Sequence, residues 1–255
     1  MNECSNSIHI LLAEDNVINQ KLAVHLLKKQ GHTVVIAADG KATIAAFENE
    51  KFDVVLMDIQ MPEMNGFEAT AIIREKEKTI SSHIPIIALT AHAMKGDRER
   101  CLAAGMDSYI SKPIQADELS RVIETLVGKT RSTIAEPIEG VPARMKLDHP
   151  ALLAQVGGDM ELLRDIVSLF IEDYPRGLSE IRAAIGCNDS RALESAAHAL
   201  RGAASNFHAK STVEAAMRLE EIGRTANMIH AVGALSVLET DLAALELALC
   251  AVVEG

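Results

Sequence analysis

The stretch VVLMDIQMPEMNG, Val54 to Gly66, is an aliphatic run that stops on a carboxylate, Asp58, ahead of a Met-Pro loop and a glycine. Apolar residues in succession, without alternation, read as a strand covered on both faces. Packing gives such a strand no reason to finish on an acid. The neighbouring runs supply one.

Comparable runs occur at Ile8–Ala13, Thr33–Ala37, Ile84–Leu89 and Ser108–Ser111, with Asp53–Met57 as the third of the series. Amphipathic segments separate them, over 17–30, 40–50, 66–78, 95–104 and 116–127, and Gly31 and Gly105 stand where helix C-caps belong. Repeated strand-then-helix units predict an α/β domain: a doubly wound, five-stranded parallel sheet with helices on both faces. Sites in such folds form beyond the carboxyl ends of the strands.

At that rim Glu14 and Asp15 end the first strand, Asp58 the third and Thr90 the fourth, and Lys112 follows the fifth. Crowded carboxylates repel, and their pKa values rise unless a cation joins them. All-oxygen ligation suits Mg²⁺. A hydroxyl and a lysine beside it would meet phosphate oxygens, so the group reads as a carboxylate nucleophile for a phosphoryl group. Singly, each residue has a plainer role: a turn for the aspartate, a cap for Thr90, a solvated loop for the lysine, packing for Tyr109. Gathered at the strand ends of one sheet, they make coincidence a poor explanation.

Composition narrows the classes. The chain has 255 residues, 48% of them hydrophobic, which is ample for packed cores. A net charge of −11, no tryptophan and 3% aromatics argue against a nucleic-acid partner. No apolar run reaches bilayer length, the start lacks the pattern of a signal peptide, and Cys4, Cys101, Cys187 and Cys250 form no CxxC pair. A reduced, cytoplasmic setting without membrane contact in this chain is the expectation.

The segments LLAEDNVINQ, VVLMDIQMPEMNG, IIALTAHA and DSYISKP, in this order, resemble the receiver domain of two-component response regulators over about residues 7–128. The resemblance implies a flavodoxin-like fold with Asp58 as phosphoacceptor. It implies a Mg²⁺ or Mn²⁺ site at Glu14, Asp15, Asp58 and the Gln60 backbone carbonyl. Lys112 would contact the phosphate, with a cis peptide before Pro113, and Thr90 and Tyr109 would form a switch. A receiver of this kind catalyses its own metal-dependent phosphorylation and dephosphorylation. EDNVINQ is most similar to receivers attached to hybrid histidine kinases. An aspartyl phosphatase usually carries a second acid two residues on, where this chain has Gln60.

From Gly128 to about Lys146 the pattern lapses, and 129–146 reads as a linker. Beyond it helices are predicted over 148–156, 159–186, 189–208, 211–226 and 229–253, with a kink or break at Pro175, in an antiparallel four-helix bundle. In RALESAAHALRGAASNFHA, Arg191–Ala209, the residues Leu193, Ala196, Leu200, Ala203 and Phe207 share one face. His198 projects roughly 160° from Leu200, so it is expected to face solvent, with Gly202 one turn above leaving the imidazole open. An ordinary surface histidine is the plainer reading. Zinc fits poorly, since His208 is on another face and no cysteine is near.

HALRG in such a bundle resembles the histidine phosphotransfer (HPt) domain over about 147–255. That resemblance implies phosphorylation of His198, access over Gly202, and Arg201 where lysine is common. His208 replaces a residue that is usually glycine. The two halves together imply a phosphorelay protein: Asp58 receives a phosphoryl group from a histidine kinase and exchanges it with His198, for onward transfer to a downstream receiver. A phosphate sink and a non-phosphorylated scaffold are the competing readings. No ATP-binding kinase segment can be read in the chain, which could be the cytoplasmic end of a longer membrane-bound sensor.

Overall fold

The computed structural model of the chain describes residues 7–80, 82–90, 95–127 and 149–254. The expected linker, 129–146, and Cys4 lie outside the described residues. The chain divides into two compact units, Met1–Gly140 and Val141–Gly255.

The first unit runs β1 (His9–Ala13), α1 (Val17–Lys29), β2 (Thr33–Ala37), α2 (Gly40–Asn49), β3 (Val54–Asp58), α3 (Gly66–Ile80), β4 (Ile86–Thr90), α4 (Lys95–Ala103), β5 (Ser108–Ser111) and α5 (Ala116–Val127). The strands form one parallel sheet in the order β2-β1-β3-β4-β5. This is the doubly wound architecture that the alternation predicts. The third strand starts one residue later than the expected Asp53–Met57 run and ends on Asp58, the acid read from the sequence as its end. β3 and β4 are buried at every position, as central strands between two helical layers must be. Leu11, Val55, Met57, Ile73, Ile86 and Cys101 belong to the core on one face.

Caps set where the helices begin. The Asn16 side chain accepts hydrogen bonds from the Ile18 and Asn19 amides, and Asp39 accepts from Ala42. Gly31 and Gly105, at φ 87° and 93°, turn the chain out of α1 and α4. The register pairs Ala13 with Met57, Asp58 with Leu89 and Thr90 with Ser111, so the carboxyl ends of four strands come level at one rim.

The second unit holds α6 (His149–Gln155), α7 (Met160–Gly186), α8 (Ser190–Ser205), α9 (Lys210–Thr225), a 3-10 turn (Met228–His230) and α10 (Ala231–Glu254). α7 packs on α8, α8 on α9, α9 on α10 and α10 back on α7, an arrangement compatible with the expected four-helix bundle. Phe170 and Phe207 meet in its core with ring centroids 4.9 Å apart. Of the kink or break expected at Pro175, the break is absent: α7 continues through the proline. An interior proline costs a helix about 3 kcal/mol. Here α7 is tied to α10 on both sides of it, by Tyr174 Oη donating to Glu246 at 2.6 Å and by Arg182 donating to Glu239 at 2.7 Å.

α8 and α9 approach almost backbone to backbone at Gly223. A Cβ there would lie 2.5 Å from Glu194 N and 2.7 Å from Ser190 O. Three residues on, Ala226 closes α9 in the left-handed region at φ 53°. The two positions therefore respond in opposite senses. Gly223→Ala should force the helices apart and cost about 1–3 kcal/mol. Ala226→Gly should relieve about 1 kcal/mol of backbone strain. Thermal or denaturant unfolding of the two variants beside the parent checks both signs.

Candidate functional site

The strand ends deliver the predicted residues to one place. Lys112 Nζ lies 2.5 Å from Asp58 Oδ2 and 2.7 Å from Glu14 Oε2, and all three side chains are nearly fully buried. Asn19 Nδ2 donates to Glu14 Oε1 at 2.8 Å, and the Gln60 amide donates to Asp58 Oδ1 at 3.2 Å. Gly66 opens α3 directly against the end of β3, where a Cβ would collide with the Asp58 carbonyl oxygen. The residue is glycine because a helix starts where a strand has just ended.

Glu14, Asp15 and Asp58 each present a carboxylate oxygen, all within 4.8 Å of one another. Three acids so close, of which only Asp15 is partly exposed, make a hard all-oxygen donor set that fits a divalent cation. Burial, followed in the same sense by the nearby Asp58, lifts the Glu14 carboxyl to about 7 although Lys112 and Asn19 pull it down. Lys112 has its pKa raised: burial opposes this, but Asp58 and Glu14 outweigh it.

Thr90 is buried at the end of β4, and its carbonyl accepts from the Lys112 amide at 2.7 Å. Tyr109 packs partly buried against the core, with the Arg98 guanidinium 5.8 Å from its ring centroid. The Lys112-Pro113 peptide is cis, as the resemblance implies.

In the helical unit the structure corrects the projection. His198 does not stand free in solvent: its side chain is only 14% exposed. Its Nδ1 lies 3.2 Å from Glu220 Oε1, across on α9, and 3.0 Å from an Arg201 amino nitrogen. Arg201 is buried as well, its Nε donating to Glu220 Oε2 at 2.7 Å, and Arg224 reaches the same carboxylate at 3.0 Å. Gly202, one turn beyond His198, is half-buried, and its carbonyl accepts from Ser205 and Asn206. A projection of one helix cannot see the neighbour that covers it.

Burial would raise Glu220, but the hydrogen bond from His198 and the charge of Arg201 outweigh it and push the carboxyl down to about 2. Glu220 and Arg224 are the residues that sequence reasoning missed. A signal existed: Glu220 shares the buried face of α9 with Ala216, Leu219 and Gly223, and a charge on an apolar stripe needs partners. His208 adopts φ 52°, a conformation that favours glycine.

Fold and site thus define an α/β domain whose carboxyl rim gathers acids around a lysine, followed by a helical domain with a histidine set against a buried carboxylate and two arginines. Residues 10–124 match the response regulator receiver domain family, and residues 165–248 match the Hpt domain family. The chain belongs to the two-component signalling proteins, as a receiver domain followed by an Hpt domain.

Sensor protein GacS of Pseudomonas syringae pv. syringae is 34% identical over 249 residues, covering 95% of this chain. Hybrid signal transduction histidine kinase I of Dictyostelium discoideum is 50% identical over 125 residues, or 47% of this chain. The chain spans 27% and 7% of the lengths of these relatives. A solved receiver domain, of sensor histidine kinase PA1611 from Pseudomonas aeruginosa PAO1 with a magnesium ion in its active-site cleft, is 41% identical. The match covers 48% of this chain and 98% of that one, with a TM-score of 0.44. Among the described residues, no helix is long and apolar enough to cross a membrane.

The Glu14 carboxyl, raised above its usual 4.5 to about 7, links metal binding to pH. The folded chain holds this proton more tightly than the unfolded chain, so the stability it adds is lost as pH climbs from 4.5 through 7. A divalent cation competes with the proton. Added Mg²⁺ should therefore raise the melting temperature more at pH 8 than at pH 6, and thermal melts with and without the ion at the two pH values check the sign.

Proposed function

We propose that this chain is a phosphorelay protein in which Asp58 accepts a phosphoryl group from a histidine kinase and exchanges it with the Hpt histidine, His198. Residues 7–128 would form the receiver, 147–255 the phosphotransfer domain and 129–146 their linker. The observation that carries the reading is Asp58 at the sheet rim, paired with Lys112 and crowded by Glu14 and Asp15.

The roles follow from charge. An Asp58 oxygen attacks phosphorus as the bond to the donor nitrogen breaks, and negative charge gathers on the phosphoryl oxygens. Lys112, already at Asp58, is placed to donate to one of them. Thr90 has a hydroxyl at the neighbouring strand end for another, and Tyr109 would follow that movement as the second part of a switch. Glu14, Asp15, Asp58 and the Gln60 carbonyl would hold Mg²⁺ or Mn²⁺, and a bound cation supplies further charge compensation.

At the other station Nε2 of His198 is the nucleophile. Arg201 and Glu220 fix the ring, and the missing side chain at Gly202 leaves room for an approaching receiver. The partners implied are a histidine kinase as donor and a receiver on another protein as acceptor, with the cytoplasm as the compartment. The helical domain acts as a phosphoryl carrier rather than a catalyst, because the charged groups that promote transfer belong to the receiver.

Radiolabel transfer from a phosphorylated histidine kinase tests this. Wild-type chain should carry label on both stations and pass it to a receiver protein, and Asp58→Asn should take none from the kinase. His198→Gln should stop at Asp58 and pass nothing on. Label on the Asp58→Asn chain would overturn the assignment. Gly202→Gln should slow exchange with a receiver at least several-fold without lowering the melting temperature, since glutamine has the better helix propensity by roughly 0.5–1 kcal/mol.

A further inference from the structure

Among the described residues, the three most exposed large apolar side chains are Ile229 at 81%, Leu247 at 75% and Val232 at 68%. All three belong to α10 or to the turn before it. The outer face of α10 carries Gly233, Val237, Thr240, Ala244, Leu247 and Ala251, every one exposed. Their spacing alternates between four and three, which keeps them in line along the helix. A line that recurs about every 3.5 residues is the seam of a coiled coil, here with Val237 and Ala244 at one core position and Thr240 and Leu247 at the other.

The rest of the helix keeps that seam apolar. No lysine or arginine occurs in Ala231–Glu254, and two of its acids are drawn off toward α7, Glu239 by Arg182 and Glu246 by Tyr174. A Cβ at Gly233 would meet nothing within 4 Å. Packing inside the chain therefore gives no reason for glycine where alanine makes the better helix.

The two flanks of the seam differ in sign. On the α7 side stands Arg182, itself more than half exposed. On the α9 side stands Asp241, whose carbonyl receives Thr212 of α9, with Glu214 of α9 near enough to repel its carboxylate. Two copies set with α10 parallel bring the Arg182 flank of each against the Asp241 flank of the other, twice by symmetry. An antiparallel pair would set Asp241 against Asp241 and Arg182 against Arg182.

We propose that the chain pairs with a second copy of itself through the outer face of α10, as a parallel two-fold dimer seamed by Val237, Ala244 and Leu247 and flanked by Arg182 facing Asp241 of the second copy. α8, which carries His198, packs on the same two helices as α10, so α10 stands diagonal to it and the seam leaves the histidine uncovered. On the phosphorelay reading, the dimer is a carrier with two open histidines.

The test is sedimentation velocity of the full chain over a concentration series. Wild type should associate reversibly to a dimer. Leu247→Glu should weaken association about tenfold or more. Its melting temperature when dilute should match wild type, because the side chain lies outside the core. Asp241→Asn should weaken association several-fold. Tightening instead would mean that like charges meet there and would overturn the parallel pairing. Ala251→Cys, in a background with Cys4, Cys187 and Cys250 replaced by serine, should cross-link to itself on oxidation. Antiparallel helices centred on the seam would hold the two positions about 27 Å apart, and absence of the cross-link in a dimer overturns the proposed register.

A chain that stays monomeric at millimolar concentration, or a dimer indifferent to Leu247→Glu, overturns the proposal outright. Phosphoryl uptake separates the dimer from the reading it serves. Leu247→Glu should accept phosphate at His198 from a phosphorylated receiver at the wild-type rate. Faster uptake in the variant would show that pairing covers His198 and would overturn the placement of the seam. No uptake by wild type or variant would sink the phosphorelay reading and leave the dimer standing.

Discussion

One ammonium group shared by two buried carboxylates organises the first half of this chain. Lys112 reaches Glu14 and Asp58 together, and neither acid could stay ionised out of water beside the other without it. The lysine comes from the loop after β5 and the acids from β1 and β3, so the pairing requires every strand between them in register. A one-residue slip in β3 would turn Asp58 to the other face of the sheet and leave its partners uncompensated. The sheet, the caps at Asn16 and Asp39, and Gly66 against the strand end all serve to hold that register.

Much of this was legible in the sequence, because strand and helix have different periods and the sheet is parallel. An unbroken apolar run such as Val54–Met57 suits only a central strand, and a central strand in a doubly wound fold can place a functional acid only at its carboxyl end. Asp58, read from the sequence as the end of the third strand, pairs with Leu89 as the last rung of the ladder.

The helical unit was legible in outline and less so in detail. Periodicity gives the faces of α8 but not what α9 presents across from it. His198 projects away from Leu200 and is nevertheless covered, because the Glu220 and Arg224 side chains reach over from the next helix and Arg201 folds back onto them. Long polar side chains escape a reading based on apolar stripes, since their heads travel several bonds from the backbone. At Pro175, where local propensity favours a kink or break, α7 is not broken, and its buried residues on either side, Phe170, Leu178 and Ile181, belong to the bundle core.

Glu14 and Glu220 are the same residue type, each buried and each touching cations, yet their carboxyls move in opposite directions, to about 7 and to about 2. Burial raises both. The difference is the company. Among the described residues no carboxylate raises Glu220, and two guanidinium groups and an imidazole touch it, so its charge is compensated. Glu14 has one ammonium, and that ammonium also serves Asp58, with Asp15 close by, so its site carries surplus negative charge. A divalent cation would correct that surplus at the rim and would find none to correct beside His198. On the proposed phosphorelay reading, metal dependence of phosphoryl exchange would therefore come from the receiver, and the histidine site would depend on the hydrogen bonds to its ring.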